Sequence, residues 1–145
     1  MDFFDALNVS ASGLSAQRLR MNLISANLAN INTTRTRDGG PYRRQDPVFA
    51  AQAPGASFRE VLHSQQKEFL KEVSVVGIVE DTRAPIKKYD PTHPDADESG
   101  YLAMPNVNVM EEMVNMISAT RSYEASVTAI KSAKDMALKA LEIGQ

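Results

Sequence analysis

The sequence predicts a mainly α chain in which long N- and C-terminal helices pair and a loop-rich middle segment carries a small β element. Three observations lead there. Apolar residues recur at alternating four and three spacing at both ends of the chain. Residues 33–105 hold all 7 prolines and five of the 7 glycines. Within that middle, "KEVSVVGIVED" has the β-branched density of a strand. At 145 residues the chain is the size of one domain, with room for a modest core.

In the N-terminal helix, Phe3, Leu7, Leu14, Met21, Ile24, Leu28 and Ile31 share one seam, interrupted by Ser10 and Gln17. Leu7, Leu14, Met21 and Leu28 recur at every seventh residue, the repeat of a helix that faces a partner along its length. At 1.5 Å per residue the helix is about 40 Å long. Asp2 is placed to cap it, and Asp5 in the first turn suits the helix dipole. It runs out in "SANLANINTTRT", with Asn27, Asn30 and Asn32 among the last apolar residues. Two readings stand side by side. The asparagines cap the helix, since asparagine tolerates the left-handed conformation common at helix ends. Alternatively they hydrogen-bond as neutral amides across a subunit boundary and fix register, without the desolvation penalty of charge.

The middle is read as loop with short elements. "SFREVLHSQQKEFLKE" has the pattern of a short helix, "TRAPIKKYD" is placed to return as the partner of the strand, and "DPTHPDADESGY" reads as a turn-rich acidic connection. The second seam follows: Met113, Met116, Thr120, Tyr123, Val127, Ile130, Ala133, Ala137 and Leu141. Pro105 and Asn106 or Asn108 mark its start, Glu111 and Glu112 occupy the early turns, and Lys131, Lys134 and Lys139 the later half, as the dipole favours. The helix is expected over about 109–143. Both helices also carry apolar residues off the seam, including Val9, Leu19, Leu23, Met110, Val114, Ile117 and Met136. The middle has too few large apolar residues to cover them, so both helices are expected to contact other subunits.

Bulk chemistry narrows the function classes. With 16 Lys and Arg against 18 Asp and Glu, formal charge is -2. No overall basic field draws the chain to nucleic acid or an anionic membrane. There are no cysteines, which rules out disulfides and thiolate metal sites. No stretch approaches the roughly 18 unbroken apolar residues of a membrane span, and the acidic start is the reverse of a secretory signal. Neither membrane insertion nor a cleaved signal peptide is therefore expected.

Catalytic and metal-binding patterns are weak. His93, Asp95, Asp97 and Glu98 are ligand types for a divalent cation, but their spacing fits no familiar loop, and a solvated turn is the better reading. His63 has Glu60 and Ser64 beside it without a strand-turn-helix serine motif or an oxyanion loop. No catalytic residue, cofactor or metal is assigned. The arginine loop "TRTRDGGPYRRQ" carries Arg35, Arg37, Arg43 and Arg44 with Tyr42 among them. Such a loop can grip phosphates or stack on a base. The overall charge favours a solvated loop or a subunit contact to carboxylates, with Asp95, Asp97 and Glu98 as partners in the same chain or the next. An adaptor that uses residues 35–44 on an anionic partner is the alternative function.

"SANLANINT" near the start, together with "PNVNVMEEMVNMISATRSYEASV" near the end, resembles the axial proteins of the bacterial flagellum, the rod and hook subunits. More narrowly, "GGPYRRQDPVFA" and "YDPTHPDADESGYLAMPNVNV" resemble the proximal rod type, as does the short length. The usual Thr-x-Gly-Tyr element is interrupted here by "RTRDGG", itself a feature of that type. The resemblance implies a structural subunit that assembles helically with copies of itself and other rod proteins into the drive shaft transmitting motor torque. Residues 1–32 and 105–145 would form a coiled-coil-like inner domain around a central channel, and residues 33–104 would lie outward. Implied partners are the other rod proteins, the adaptor joining rod to MS ring, and the flagellar type III apparatus, which exports subunits unfolded to the periplasmic space. On that reading Leu7, Leu14, Met21, Leu28, Met113, Met116, Tyr123, Val127 and Ile130 supply subunit packing. Asn27, Asn30, Asn32, Glu112, Arg121 and Glu124 set register, and Arg35, Arg37, Tyr42, Arg43 and Arg44 make loop contacts.

Overall fold

The computed structural model describes residues 3–52 and 71–143, with side chains from residue 6 to residue 142 among them. In chain order the elements are α1 (Phe3–Ala29), β1 (Gln45–Gln52), β2 (Glu72–Glu80), β3 (Ile86–Tyr89), β4 (Tyr101–Met104) and α2 (Val109–Ile143). Both terminal helices are present, α2 over the expected span. The Asp2 cap, most of the short helix read from "SFREVLHSQQKEFLKE" and the His63, Glu60 and Ser64 group lie outside the described residues.

The two helices pack antiparallel. A Cβ added to Gly13 would stand 3.8 Å from Ser126 Oγ, Thr120 Oγ1 lies 3.7 Å from Met21 Sδ, and Asn27 Nδ2 donates to Glu112 at 3.0 Å. As the residue number rises along α1, that of its neighbour on α2 falls. Small residues let the helices approach: Ala16 and Ala119 are buried, as are the larger Leu23 and Ile24. Hydroxyls near the contact are satisfied by their own helix, Thr120 donating to Met116 O and Ser126 to Ser122 O. The expected seam of α2 is at least partly covered from Met116 to Ala137, but at its ends Met113 and Leu141 are exposed, and buried Glu112 takes the place expected of Met113.

α1 ends two residues before its apolar pattern does. The Asn30 N–H still bonds to Ala26 O at 3.0 Å, and Thr33 N–H then bonds to Asn30 O at 3.0 Å, closing the end in tight turns. Among the described residues no residue but glycine has a positive φ, so the left-handed cap expected of the asparagines is not formed. Asn30 caps by side chain instead, donating to Ala26 O at 2.9 Å and accepting from Thr33 Oγ1 at 3.1 Å. At the start of α2, Asn108 is the N-cap, its Oδ1 accepting from Met110 N–H at 3.0 Å.

The strands form two antiparallel pairs, β1 with β2 and β3 with β4. The expected pairing of β2 with "TRAPIKKYD" is corrected. Asp81 accepts from both the backbone N–H and the Nε of Arg83, which turns the chain away directly after β2, and β3 pairs with β4 instead. The true partner is β1, whose strand signal is diluted by Pro47 and the alanines after Phe49. A two-stranded ribbon has only edges, where proline is tolerated. The register runs from Gln45 opposite Glu80 to Gln52 opposite Glu72, shifting between Val48 and Phe49 so that Val76 is left over as a bulge.

This ribbon packs against α1. One end is held where Asn27 meets Gln45, and near the other end Val73 N–H donates to Ser12 Oγ at 3.1 Å. Between β3 and β4 the chain turns at Gly100, whose φ of 79° and absent Cβ are both required, since a Cβ would come within 2.9 Å of the Tyr89 ring. Tyr89 and Tyr101 stack edge to face across the pair at 5.3 Å.

Candidate functional site: a buried polar junction and an exposed helix face

Three segments far apart in sequence meet at the inner end of the helical pair. Asn27 and Glu112 are both fully buried there, and are the only buried polar side chains among the described residues. The Asn27 amide is saturated. Its Oδ1 accepts from Tyr42 OH at 2.8 Å and from Gln45 N–H at 2.9 Å. Its Nδ2 donates to Gln45 O at 3.0 Å and to Glu112 Oε2 at 3.0 Å. Toward Gln45 the side chain therefore behaves as a neighbouring strand would, meeting both the backbone donor and the backbone acceptor of one residue.

Glu112 completes the junction. Its other oxygen, Oε1, accepts from Arg44 Nε at 2.7 Å, and Arg44 also pairs with Asp46. A carboxylate buried in this way needs a cation and hydrogen bonds, and it has both. Burial acts to lower the Arg44 pKa, but the hydrogen bond to Glu112 and the two nearby carboxylates outweigh it and hold the guanidinium protonated. Burial, and then the charges of Glu112 and Glu80, push the Tyr42 phenol above its ordinary value and keep it a donor. Arg44 ties in the ribbon as well, its carbonyl accepting from Asp81 N–H at 2.8 Å. Asp81 is itself lowered to about 2, chiefly by its side-chain hydrogen bond with Arg83.

The structure thus unites residues that spacing had put in separate groups. Asn27 and Glu112 come from the helices, Tyr42 and Arg44 from the arginine loop. The remaining arginines Arg35, Arg37 and Arg43 are exposed, as are Asn32, Arg121 and Glu124. The acidic connection meets the loop through a hydroxyl, Thr34 Oγ1 donating to Asp95 at 2.8 Å. Its other carboxylates shape their own turns: Asp97 accepts from the N–H groups of Ser99 and Tyr101, and Asp90 accepts from Thr92, which lowers its pKa. Sequence reasoning missed Gln45, whose contribution is its peptide. It also missed that Glu112 lies inside, although a signal was there: Glu112 stands four residues before Met116 and seven before Ala119, on the inner stripe of α2.

The opposite face of α2 is bare. Met110 is 70 % exposed, Val114 64 % and Ile117 55 %, with Val109 and Met113 beside them. Arg121 and Glu124 continue the same stripe at the next turns. Toward the end of the helix Met136, Leu138 and Leu141 are exposed again. Leu7, Leu14, Met21, Leu28, Met116, Tyr123, Val127 and Ile130 are partly covered. No described helix is long and apolar enough to cross a membrane.

Comparison with known proteins bears on both features. Residues 7–35 match the family model described as flagella basal body rod protein. Residues 98–143 match that of the flagellar basal body rod FlgEFG protein C-terminal. The chain is similar along its full length to the flagellar basal-body rod protein FlgC of Bacillus subtilis, at 47 % identity and covering all of that protein. The chain belongs to the FlgC family of flagellar basal-body rod proteins. The FlgC of Borreliella burgdorferi is 45 % identical over all of this chain and 99 % of its own. That of Aquifex aeolicus is 40 % identical over 94 % of this chain and 92 % of its own. The two family matches fall on α1 with its asparagine turns and on β4 with α2, so they contain Asn27 and Glu112 respectively.

Proposed function

We propose that this chain, by its family a structural subunit of the flagellar basal-body rod, stacks helically with other rod proteins and with copies of itself in the proximal rod, and so passes motor torque outward. Its chemistry is assembly, with no catalytic step and no cofactor. The observation that carries the reading is the bare apolar stripe of α2 at Met110, Met113, Val114 and Ile117. So much apolar surface on one side of a helix already packed on the other is the mark of an interface. At about 25 cal/mol per Å² its burial against neighbours drives association.

In this reading residues 1–32 and 105–145 form the inner, coiled-coil-like layer and residues 33–104 lie outward. Leu7, Leu14, Met21, Leu28, Tyr123, Val127 and Ile130 hold the pair together and lend their free edges to neighbours. Asn32, Arg121 and Glu124, with Arg35, Arg37 and Arg43, make polar contacts between subunits. The chain reaches the periplasmic space through the flagellar type III apparatus, and meets other rod proteins and the adaptor to the MS ring. The test is a Val114→Asp, Ile117→Asp double variant. Its purified chain is expected to keep its helical circular dichroism, while cells carrying it lack completed rods and do not swim. Normal swimming would sink the proposal.

A further inference from the structure

The ties between the middle segment and the helices are unevenly distributed. Along the ribbon, among the described residues, one backbone N–H, that of Val73, reaches Ser12 Oγ at an exposed site. At the inner end, Asn27 holds both backbone polar groups of Gln45, and Arg44 bonds to Glu112 from the same strand end. Fifteen residues of α1 separate Ser12 from Asn27, about 22 Å at 1.5 Å per residue. The ribbon is thus a strut pinned at two points, one weak and wet, the other strong and dry.

The two kinds of contact resist displacement differently. Apolar contacts are non-directional, and packed surfaces of small side chains can slide at little cost. Hydrogen bonds weaken steeply with misalignment, and those at Asn27 and Glu112 have no water at hand to replace them. A buried ion pair is a poor choice where stability alone is needed, because apolar residues of equal volume often serve as well. It is a good choice where one segment must keep one position relative to another.

We propose that Asn27, Tyr42, Arg44 and Glu112 are positioning residues of a torque joint, which makes the middle segment and the helical pair turn as one body. The proposal rests on the reading of the chain as a rod subunit. Under load, force applied to the middle segment reaches α1 through Asn27 and α2 through Glu112, and both paths leave the same strand end. Opening the joint leaves the assembling stripe of α2 untouched, since Met110, Val114 and Ile117 lie on the other side of the helix.

The experiment uses the full-length tagged chain in cells without their own copy, with Tyr42→Phe and Asn27→Ala as variants. Basal-body number, incorporation of the tag and swimming speed are measured across a viscosity series. Hydrogen exchange of the Gln45 amide in the purified chain shows whether the joint has loosened. In Asn27→Ala, exchange is expected to quicken about tenfold, as loss of one hydrogen bond implies. Both variants are expected to enter basal bodies in wild-type number and to lose speed more steeply than wild type as viscosity rises. Wild-type speed at every viscosity, with Gln45 exchange quickened, overturns the joint. So does failure of Tyr42→Phe to enter basal bodies, since the gentlest change would then act on folding. If Asn27→Ala does not fold, the load response of Tyr42→Phe decides alone. Absence of the tagged wild-type chain from basal bodies would overturn the rod reading itself, a separate outcome.

Discussion

The two ends of the helical pair are built on opposite principles. At the end where Asn27 meets Glu112, the chain buries a carboxylate and an amide and satisfies them from its own loop and strand. Toward the other end, α2 carries Met136, Leu138 and Leu141 in the open, and its covered positions shrink to alanines at Ala133 and Ala137. Between the helices, the first end is closed by the chain's own polar groups; at the far end Met136, Leu138 and Leu141 stay uncovered among the described residues. Directional polar bonds suit the first task, because a single subunit must fix its own geometry before any partner arrives. Non-directional apolar surface suits an end that is left to be covered.

The comparison breaks most visibly if the finished end is opened. Arg44→Met leaves Glu112 buried without its cation, a loss of about 3–5 kcal/mol for a broken buried pair, measured by urea denaturation of the purified chain. Asn27→Ala is expected next, at about 2–3 kcal/mol, since it strands the Gln45 peptide and one oxygen of Glu112 together. Asn30→Ala removes only a helix-end cap and is expected to cost about 0.5–1 kcal/mol. If the two asparagine variants were equally mild, the contrast between a joint and a cap would be wrong.

How much of this was legible differs between the layers. The helices were read from their heptads almost to the residue, because periodicity is a local signal and α2 needs nothing else to declare itself. The partner of β2 was not legible. Strand pairing is decided by contacts across 20 to 35 positions, and the Asp81 and Arg83 turn that redirects the chain has no strong local signature. Four of the junction's residues were already in view as separate candidates. What the sequence withheld was the tertiary fact that joins them: Asn27 faces inward with all its bonding positions used within the chain, which leaves none for a neighbour.

A smaller effect distinguishes the ends by pH. The Tyr42 phenol is raised above its ordinary value of 10.0 by burial and by the charges of Glu112 and Glu80. A group raised in the folded state contributes stability that is complete below the unfolded pKa and is lost as pH rises through the folded one. The junction should therefore hold to about pH 10 and weaken above it. Tyr42→Phe is expected to cost about 1 kcal/mol at neutral pH through the lost hydrogen bond, and to flatten the alkaline limb of a stability-against-pH curve.

At the unfinished end the expected effect on the isolated chain is smallest. Leu141 is 68 % exposed and Met136 67 %, so Leu141→Ser or Met136→Ser removes little buried contact, and surface changes of this kind usually stay within about 0.5 kcal/mol. If these side chains are reserved for neighbours, incorporation into rods should fall although thermal unfolding of the purified chain is unchanged. The same pair of measurements on Arg44→Met gives the reverse order, with monomer stability lost first and assembly only as its consequence. A Leu141→Ser chain that unfolded as readily as Arg44→Met would mean that the far end is also part of the subunit's own core, and the division of labour between the two ends would dissolve.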